Sequence, residues 1–236
     1  MKRNLWYIGD SFVDHKYVGR DAHAHTTSWV QQLPLKLGYN VKNCACAGAS
    51  NDWTVGEFVK RRTQWQAKDV VICSITDPSR MNIRKLPVDL QSKTAMKEPK
   101  IFRQLWTEQT AYIRIMQQVA WLQGLAHQFH KVIVITPFGT TAPVNNDRTI
   151  LREDLSTLVA ANSPENFWLY PRQFHSYDMM QHQPSLFKDP RPNHMYPECT
   201  ESLMRSFEGF LQQDQRVVYE PYLTMSNKLD STVDER

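Results

Sequence analysis

A serine near the N-terminus lies where its hydroxyl could act as a nucleophile. Residues 5–8 form a short apolar run of the length of a buried strand, and Gly9, Asp10 and Ser11 end it. A strand followed by such a turn is how a parallel sheet delivers a side chain to its carboxyl edge, where α/β proteins place their sites. A serine hydroxyl is a weak nucleophile at neutral pH, so it needs a nearby base and donors for the developing oxyanion. Ser11 is therefore a candidate for acyl transfer through an acyl-enzyme.

Three stretches of the chain resemble, in order and spacing, the sequence blocks of the SGNH (GDSL) hydrolases. Residues 9–11 (Gly-Asp-Ser) are similar to the first block. Residues 43–51 (Asn-Cys-Ala-Cys-Ala-Gly-Ala-Ser-Asn) are similar to the second, and residues 188–195 (Lys-Asp-Pro-Arg-Pro-Asn-His-Met) to the last. Each block is short, and the ordered set carries the resemblance.

The resemblance implies a fold, an activity and site residues. The fold is a flavodoxin-like three-layer α/β/α sandwich with a five-stranded parallel sheet in the order 2-1-3-4-5. Ser11 is the implied nucleophile, His194 the base, and Asp189 the acid that orients the imidazole. The backbone amides of Ser11 and Gly48 would hold the oxyanion. The predicted function is a serine esterase that hydrolyses an oxygen ester, with a carbohydrate O-acetyl ester as one of several candidate substrates.

Two blocks differ from the family pattern. The place of the third block, residues 74–78, reads Ser-Ile-Thr-Asp-Pro and has no asparagine, so Asn51 or Thr76 would supply the third oxyanion donor. In the last block the acid lies five residues before the histidine instead of three. These differences motivate an alternative, a catalytically inactive binding module with the same fold. A nucleotide-binding α/β protein is disfavoured, because neither Gly-x-Gly-x-x-Gly nor Gly-x-x-x-x-Gly-Lys follows a predicted strand.

Three further residues are candidates for contact with the substrate. Asp10 lies beside the nucleophile and is expected to support the turn rather than to react. Arg80 and Arg191 could bind a substrate anion, or could pair with Asp77 and Asp189, and we favour the pairs.

The pattern of apolar runs predicts one α/β domain. Strands are expected over residues 5–8, 39–45, 69–75, 131–136 and 167–170, and the main helices over residues 28–37, 51–62, 102–130, 148–161 and 198–211. This alternation favours a parallel sheet with helices on both faces. The domain is expected to span residues 1–213, with a basic loop insertion over 77–101. A C-terminal tail follows over 214–236, with a short apolar run at 217–219 and then a polar, charged part that is expected to fray. The insertion is either a lid for an anionic substrate or a solvated excursion.

Composition excludes several classes of function. The 236 residues are 41% apolar and 22% charged, and the net charge of +4 gives no strong case for nucleic acid. No apolar run approaches the roughly 18 residues of a membrane span.

No signal peptide is evident, and the four cysteines lack Cys-x-x-Cys spacing, so we expect buried free thiols in the cytoplasm. No cofactor is predicted. No metal site is predicted either, because His23 and His25 form a loop pair with no third ligand nearby.

Overall fold

The architecture is a five-stranded sheet between two layers of helices. The computed structural model describes residues 2–15, 29–76, 108–136, 159, 163–170 and 197–219. The strands are β1 (Asn4–Gly9), β2 (Asn40–Ala45), β3 (Val70–Ser74), β4 (Lys131–Ile135) and β5 (Phe167–Leu169). The helices are α1 (Trp29–Leu37), α2 (Asn51–Arg61), α3 (Glu108–Leu125), which a 3-10 turn (Ala126–Gln128) extends, and α4 (Pro197–Gln213).

All strand pairs in the sheet are parallel, and the strand order is β2-β1-β3-β4-β5. The predicted fold class and strand order are confirmed. Because β2 pairs with one side of β1 and β3 with the other, the direction of the crossovers changes between β1 and β3. In open α/β sheets the crevice for a ligand lies at this switch point, beyond the carboxyl ends of the strands.

Each face of the sheet has its own apolar core. Trp6 and Tyr7 are neighbours on β1 and belong to opposite cores, because successive side chains of a strand point to opposite faces. Helices α1 and α4 cover the face of Tyr7, where Leu33 and Phe207 are fully buried. Helices α2 and α3 cover the face of Trp6, where Phe58 is the largest side chain that α2 contributes. The chain is therefore the three-layer sandwich that its sequence predicts.

Local signals set the ends of the first two helices. Helix α1 continues through Pro34 and ends at Gly38, whose φ of +67° suits glycine. The Gly38 amide donates to Leu35 O at 3.3 Å and the Tyr39 amide to Pro34 O at 2.9 Å, the two bonds of a Schellman motif. Helix α2 begins after Ser50, whose side chain accepts a hydrogen bond from the Trp53 amide at 3.2 Å.

One helix boundary expected in the second half of the chain is wrong in detail. The helix expected to reach residue 130 ends at Leu125 and passes into the 3-10 turn. The first part of the C-terminal tail, up to Tyr219, is hydrogen-bonded to the domain, and the part expected to fray lies outside the described residues. The Arg216 guanidinium donates to Pro164 O at 2.9 Å, and the Tyr219 amide donates to Ser206 Oγ at 3.0 Å. The basic insertion at 77–101, and the helix over 148–161 apart from Val159, lie outside the described residues.

Three of the four cysteines fall within the described residues, and all three are free thiols. Cys44 and Cys73 are buried, as predicted, whereas Cys46 is exposed. In the part of the chain that the structure describes, no helix has both the length and the apolar character to cross a membrane.

Candidate functional site

The end of β1 lies directly against the end of β3. Gly9 has a φ of +139°, and a Cβ atom at this position would lie 2.6 Å from Ser74 O and 2.8 Å from Ser74 Cβ. Only glycine fits such an approach, so the glycine of the Gly-Asp-Ser stretch is required by its neighbour on β3. Two residues beyond this contact along each strand lie Ser11 and Thr76, which places both at the switch point.

The buried carboxylate of Asp10 ties the two strand ends together. Asp10 is fully buried, and its Oδ1 accepts hydrogen bonds from Ser74 Oγ at 2.8 Å and from the Phe12 amide at 3.2 Å. Its backbone carbonyl accepts from the Val13 amide at 3.2 Å and closes the turn. Asp10 therefore supports the turn that presents Ser11, which is itself partly exposed. These contacts match the supporting role that the sequence suggests for Asp10.

The loop after β2 brings Gly48 to the same edge. The Cys46 amide donates to Gly9 O at 3.0 Å and the Ala49 amide to Cys46 O at 2.9 Å. Gly48 lies between them with a φ of +79°, in open space, so the backbone conformation rather than crowding calls for glycine there. The turns that carry Ser11 and Gly48 are thus bonded to each other through the backbone.

A reciprocal pair of hydrogen bonds joins the start of α2 to the segment after β3. Asn51 Nδ2 donates to Thr76 O at 3.0 Å, and the Thr76 amide donates to Asn51 Oδ1 at 2.8 Å. Both residues are buried. The Thr76 hydroxyl is buried as well, and no hydrogen-bond partner for it exists among the residues that the structure describes. A buried hydroxyl without a hydrogen-bond partner costs free energy in the folded state, so this group needs a physical explanation.

A second asparagine holds the chain that follows Ser11. Asn43 Nδ2 donates to Asp14 Oδ1 at 2.8 Å, and Asn43 Oδ1 accepts from the His15 amide at 3.2 Å. Phe12 and Val13 are buried in the core between these bonds and the strand. The roles of Asn43 and Ser74 are not evident from the sequence alone, although both residues lie within the stretches compared with the family blocks.

The thiols near this edge are poor nucleophiles. Burial, and then the negative charge of Asp10, raise the pKa of the Cys73 thiol far above its usual value. Burial also raises the pKa of Cys46, and the charges of Asp14 and Glu57 raise it further. Both thiols stay protonated at neutral pH, so neither competes with the Ser11 hydroxyl as a nucleophile. No group of three potential metal ligands occurs within the described ranges.

The structure brings a subset of the predicted site residues to one edge of the sheet: Asp10, Ser11, Gly48, Asn51 and Thr76. The other predicted residues lie outside the described residues, and their roles stay predictions: Arg80, Asp189, Arg191 and His194. Three turns from three strands thus contribute to the described part of the site.

Solved structures share this architecture at low sequence identity. An alpha/beta hydrolase enzyme from the metagenome of Lake Arreo is 16% identical with a TM-score of 0.50, over 90% of this chain and 99% of that chain. A mutant of an acetyl-xylooligosaccharide esterase from Geobacillus stearothermophilus is 15% identical with a TM-score of 0.50, over 90% and 96%. The chain has the fold of these hydrolases. No family model matches the sequence, and no curated protein matches it either.

Proposed function

We propose that the protein is a serine hydrolase that cleaves an oxygen ester through an acyl-enzyme, with Ser11 as the nucleophile. The observation that carries this proposal is the meeting of three loops at the switch point between β1 and β3. One loop presents a partly exposed serine, one supplies a glycine with a positive φ, and one holds a buried hydroxyl that has no hydrogen-bond partner among the described residues. Acyl transfer needs a nucleophile and donors that converge in this way.

In the proposed reaction, Ser11 Oγ attacks the ester carbonyl carbon and its proton passes to His194. The tetrahedral oxyanion collapses, the C–O bond to the alcohol breaks, and the alcohol leaves with the proton from His194. Water then attacks the acyl-enzyme by the same route, which releases the carboxylic acid and restores Ser11. Asp189 orients the imidazole and stabilises its charged form during both steps.

The proposed oxyanion donors are the backbone amides of Ser11 and Gly48 and the hydroxyl of Thr76. The sequence leaves the third donor open between Asn51 and Thr76. The pairing of Asn51 with the Thr76 backbone supports the hydroxyl, because it commits the Asn51 carboxamide and the Thr76 amide to each other. Within the described ranges the Thr76 hydroxyl has no hydrogen-bond partner, and we propose that it donates to the oxyanion. Asn51 is then a positioning residue for that hydroxyl.

The proposed substrate is a small-molecule or carbohydrate ester with a short acyl group. One of the solved structures with this fold is an acetyl-xylooligosaccharide esterase, so an O-acetyl sugar is a sensible first substrate to assay. The proposal requires no cofactor, because the serine, the histidine and the oxyanion donors supply the whole reaction.

Covalent labelling together with ester hydrolysis tests the nucleophile. Wild type, Ser11→Ala and His194→Ala are compared for hydrolysis of p-nitrophenyl acetate and for a fluorophosphonate adduct in the intact mass. Ser163→Ala is the control, since Ser163 lies before β5 at the opposite edge of the sheet. We expect one adduct and turnover in wild type and control, and neither in Ser11→Ala. Absence of both from the wild type would favour the binding-module alternative.

A further inference from the structure

A polar cavity opens at the amino-terminal edge of the sheet, opposite the edge that carries Ser11. Its volume is about 660 Å³, within the range of roughly 300–1,000 Å³ that small-molecule sites occupy. Polar and charged side chains from several elements line it, among them Arg3, Tyr39, His130, Lys131, Glu165 and Asp214. Nothing in the proposed esterase chemistry uses this cavity.

Hydrogen bonds between separate elements hold the walls of the cavity. The Asn40 amide donates to Arg3 O at 2.9 Å, which joins the starts of β1 and β2. The His130 amide donates to Asp69 O at 2.8 Å, which joins the starts of β3 and β4. Asn166 Nδ2 donates to Ala126 O at 2.7 Å and to Phe129 O at 2.9 Å. Hydrogen bonds within the fold therefore fix the walls of the cavity.

The basic side chains of the cavity differ in whether they already have an ion-pair or hydrogen-bond partner among the described residues. Lys131 forms an ion pair with Asp214, and its ammonium lies 4.8 Å from the centre of the Phe210 ring. Arg3 and His130 differ from Lys131, because neither side chain makes a hydrogen bond or ion pair with another residue in the described part of the chain. A guanidinium and an imidazole therefore line the cavity without a polar partner among the residues that the structure describes.

The surroundings of His130 are electropositive. Burial, and then the positive charges of Arg3 and Lys131, lower the pKa of the His130 ring. Two acidic side chains line the cavity as well: Asp214 pairs with Lys131, and the negative charge of Glu165 raises the pKa of Lys131. The Asp69 carboxylate accepts hydrogen bonds from Asn4 and Trp6. A bound anion would offset the positive charge around the ring.

We propose that this cavity binds the phosphoryl group of a small molecule between Arg3 and His130. A guanidinium recognises phosphate through two parallel hydrogen bonds, and an imidazolium adds a charged donor. Lys131 also lines the cavity and stays paired with Asp214, so Arg3 and His130 are the proposed phosphate ligands. Because the anion stabilises protonated His130, binding takes up a proton and is tighter at pH values below the His130 pKa in the complex.

Nuclear magnetic resonance of the histidine rings tests the site with inorganic phosphate as the probe. The Cε1–H signal of His130 is followed during a phosphate titration at constant ionic strength near pH 6.5. His127 is the internal control, because it is exposed and lies in the same segment outside the cavity lining. We expect a saturable shift and a raised pKa for His130, and no such response for His127. Acetate at the same ionic strength should give a weaker response.

A pair of variants completes the test. Arg3→Gln should weaken phosphate binding about tenfold or more, since a hydrogen bond to a charged group contributes about 1.5–3 kcal/mol. Lys2→Gln is the matched control, because it removes an exposed neighbouring charge outside the cavity lining and should leave binding unchanged. No saturable shift in the wild type, equal affinity in Arg3→Gln, or an equal response to acetate would each overturn the proposal. The readout is independent of ester hydrolysis.

Discussion

The side chain of Asn51 holds both backbone groups of Thr76. Its Nδ2 donates to the Thr76 carbonyl at 3.0 Å, and its Oδ1 accepts from the Thr76 amide at 2.8 Å. Helix α2 and the segment after β3 are therefore bonded as one unit at the switch point. This pairing limits which atoms can bind a substrate. The Asn51 carboxamide is bonded to the Thr76 amide and carbonyl, and the Thr76 hydroxyl takes no part in the pairing.

Thr76→Val should separate activity from stability. Valine keeps the shape of threonine and replaces the buried hydroxyl, which has no partner in the described part of the chain, with a methyl group. Since that hydroxyl costs free energy in the folded state, the free energy of unfolding should be unchanged or about 1 kcal/mol higher. The value of kcat for p-nitrophenyl acetate should fall by about 10²–10³, the effect of losing one oxyanion donor. Thr76→Ser keeps a hydroxyl and should retain most activity. Full activity of Thr76→Val would remove Thr76 from the oxyanion site.

Asn51→Ala should lower both the free energy of unfolding and kcat. The substitution leaves the Thr76 amide and carbonyl without their partner in a buried place, and each unsatisfied group costs about 1–3 kcal/mol. We expect the free energy of unfolding in urea to fall by about 2 kcal/mol or more, and kcat to fall because the Thr76 hydroxyl loses its position. Asp52→Ala is the control, since Asp52 is exposed in the same turn. Equal losses of stability and activity in Asn51→Ala and Asp52→Ala would contradict the role of Asn51 in holding the Thr76 backbone.

Gly9→Ala should be severely destabilising. The residue would need a φ of +139°, and its Cβ would collide with the Ser74 backbone at 2.6 Å. Either β1 separates from β3 or the turn of Ser11 shifts, so folding and activity should be lost together. Gly124→Ala is the matched control in α3, where a Cβ meets open space. An alanine there should raise the free energy of unfolding by about 0.5–1 kcal/mol. Thermal unfolding followed by circular dichroism measures both.

The sequence predicted the central strands well because burial on both faces leaves a continuous apolar run. Val70, Val71 and Ile72 are such a run, and all three are fully buried. The end of α3 was mispredicted for a tertiary reason. Apolar periodicity continues past Leu125. The side chain of Asn166, which lies outside the helix, donates hydrogen bonds to the carbonyls of Ala126 and Phe129. Such a long-range bond leaves no local signal.

The candidate site shows the same division between local and long-range information. The Gly-Asp-Ser stretch predicts the turn of Ser11 and the local bonds of Asp10 to the Phe12 and Val13 amides, whereas the bond from Ser74 to Asp10 spans 64 positions. The choice between Asn51 and Thr76 depends on a pair of bonds across 25 positions of the chain. The contact of Gly9 with Ser74 is likewise a property of the sheet and invisible in either stretch alone.

The pH dependence of stability should carry a contribution from His130. Burial and the charges of Arg3 and Lys131 lower the pKa of this ring in the folded protein below its usual value of 6.5. The unfolded chain therefore takes up the proton first as the pH falls. This contribution is fully favourable above pH 6.5, decreases as the pH falls from there to the folded pKa, and is constant below it.

Urea unfolding of wild type and His130→Gln across this pH range isolates that contribution. We expect the difference in free energy of unfolding between the two proteins to change as the pH falls below 6.5, with the wild type losing more. His127→Gln serves as the control, since His127 is exposed. Inorganic phosphate should reduce the wild-type loss, because an anion beside Arg3 favours the protonated ring. A pH slope identical in wild type and His130→Gln would mean that folding does not lower the pKa of this ring.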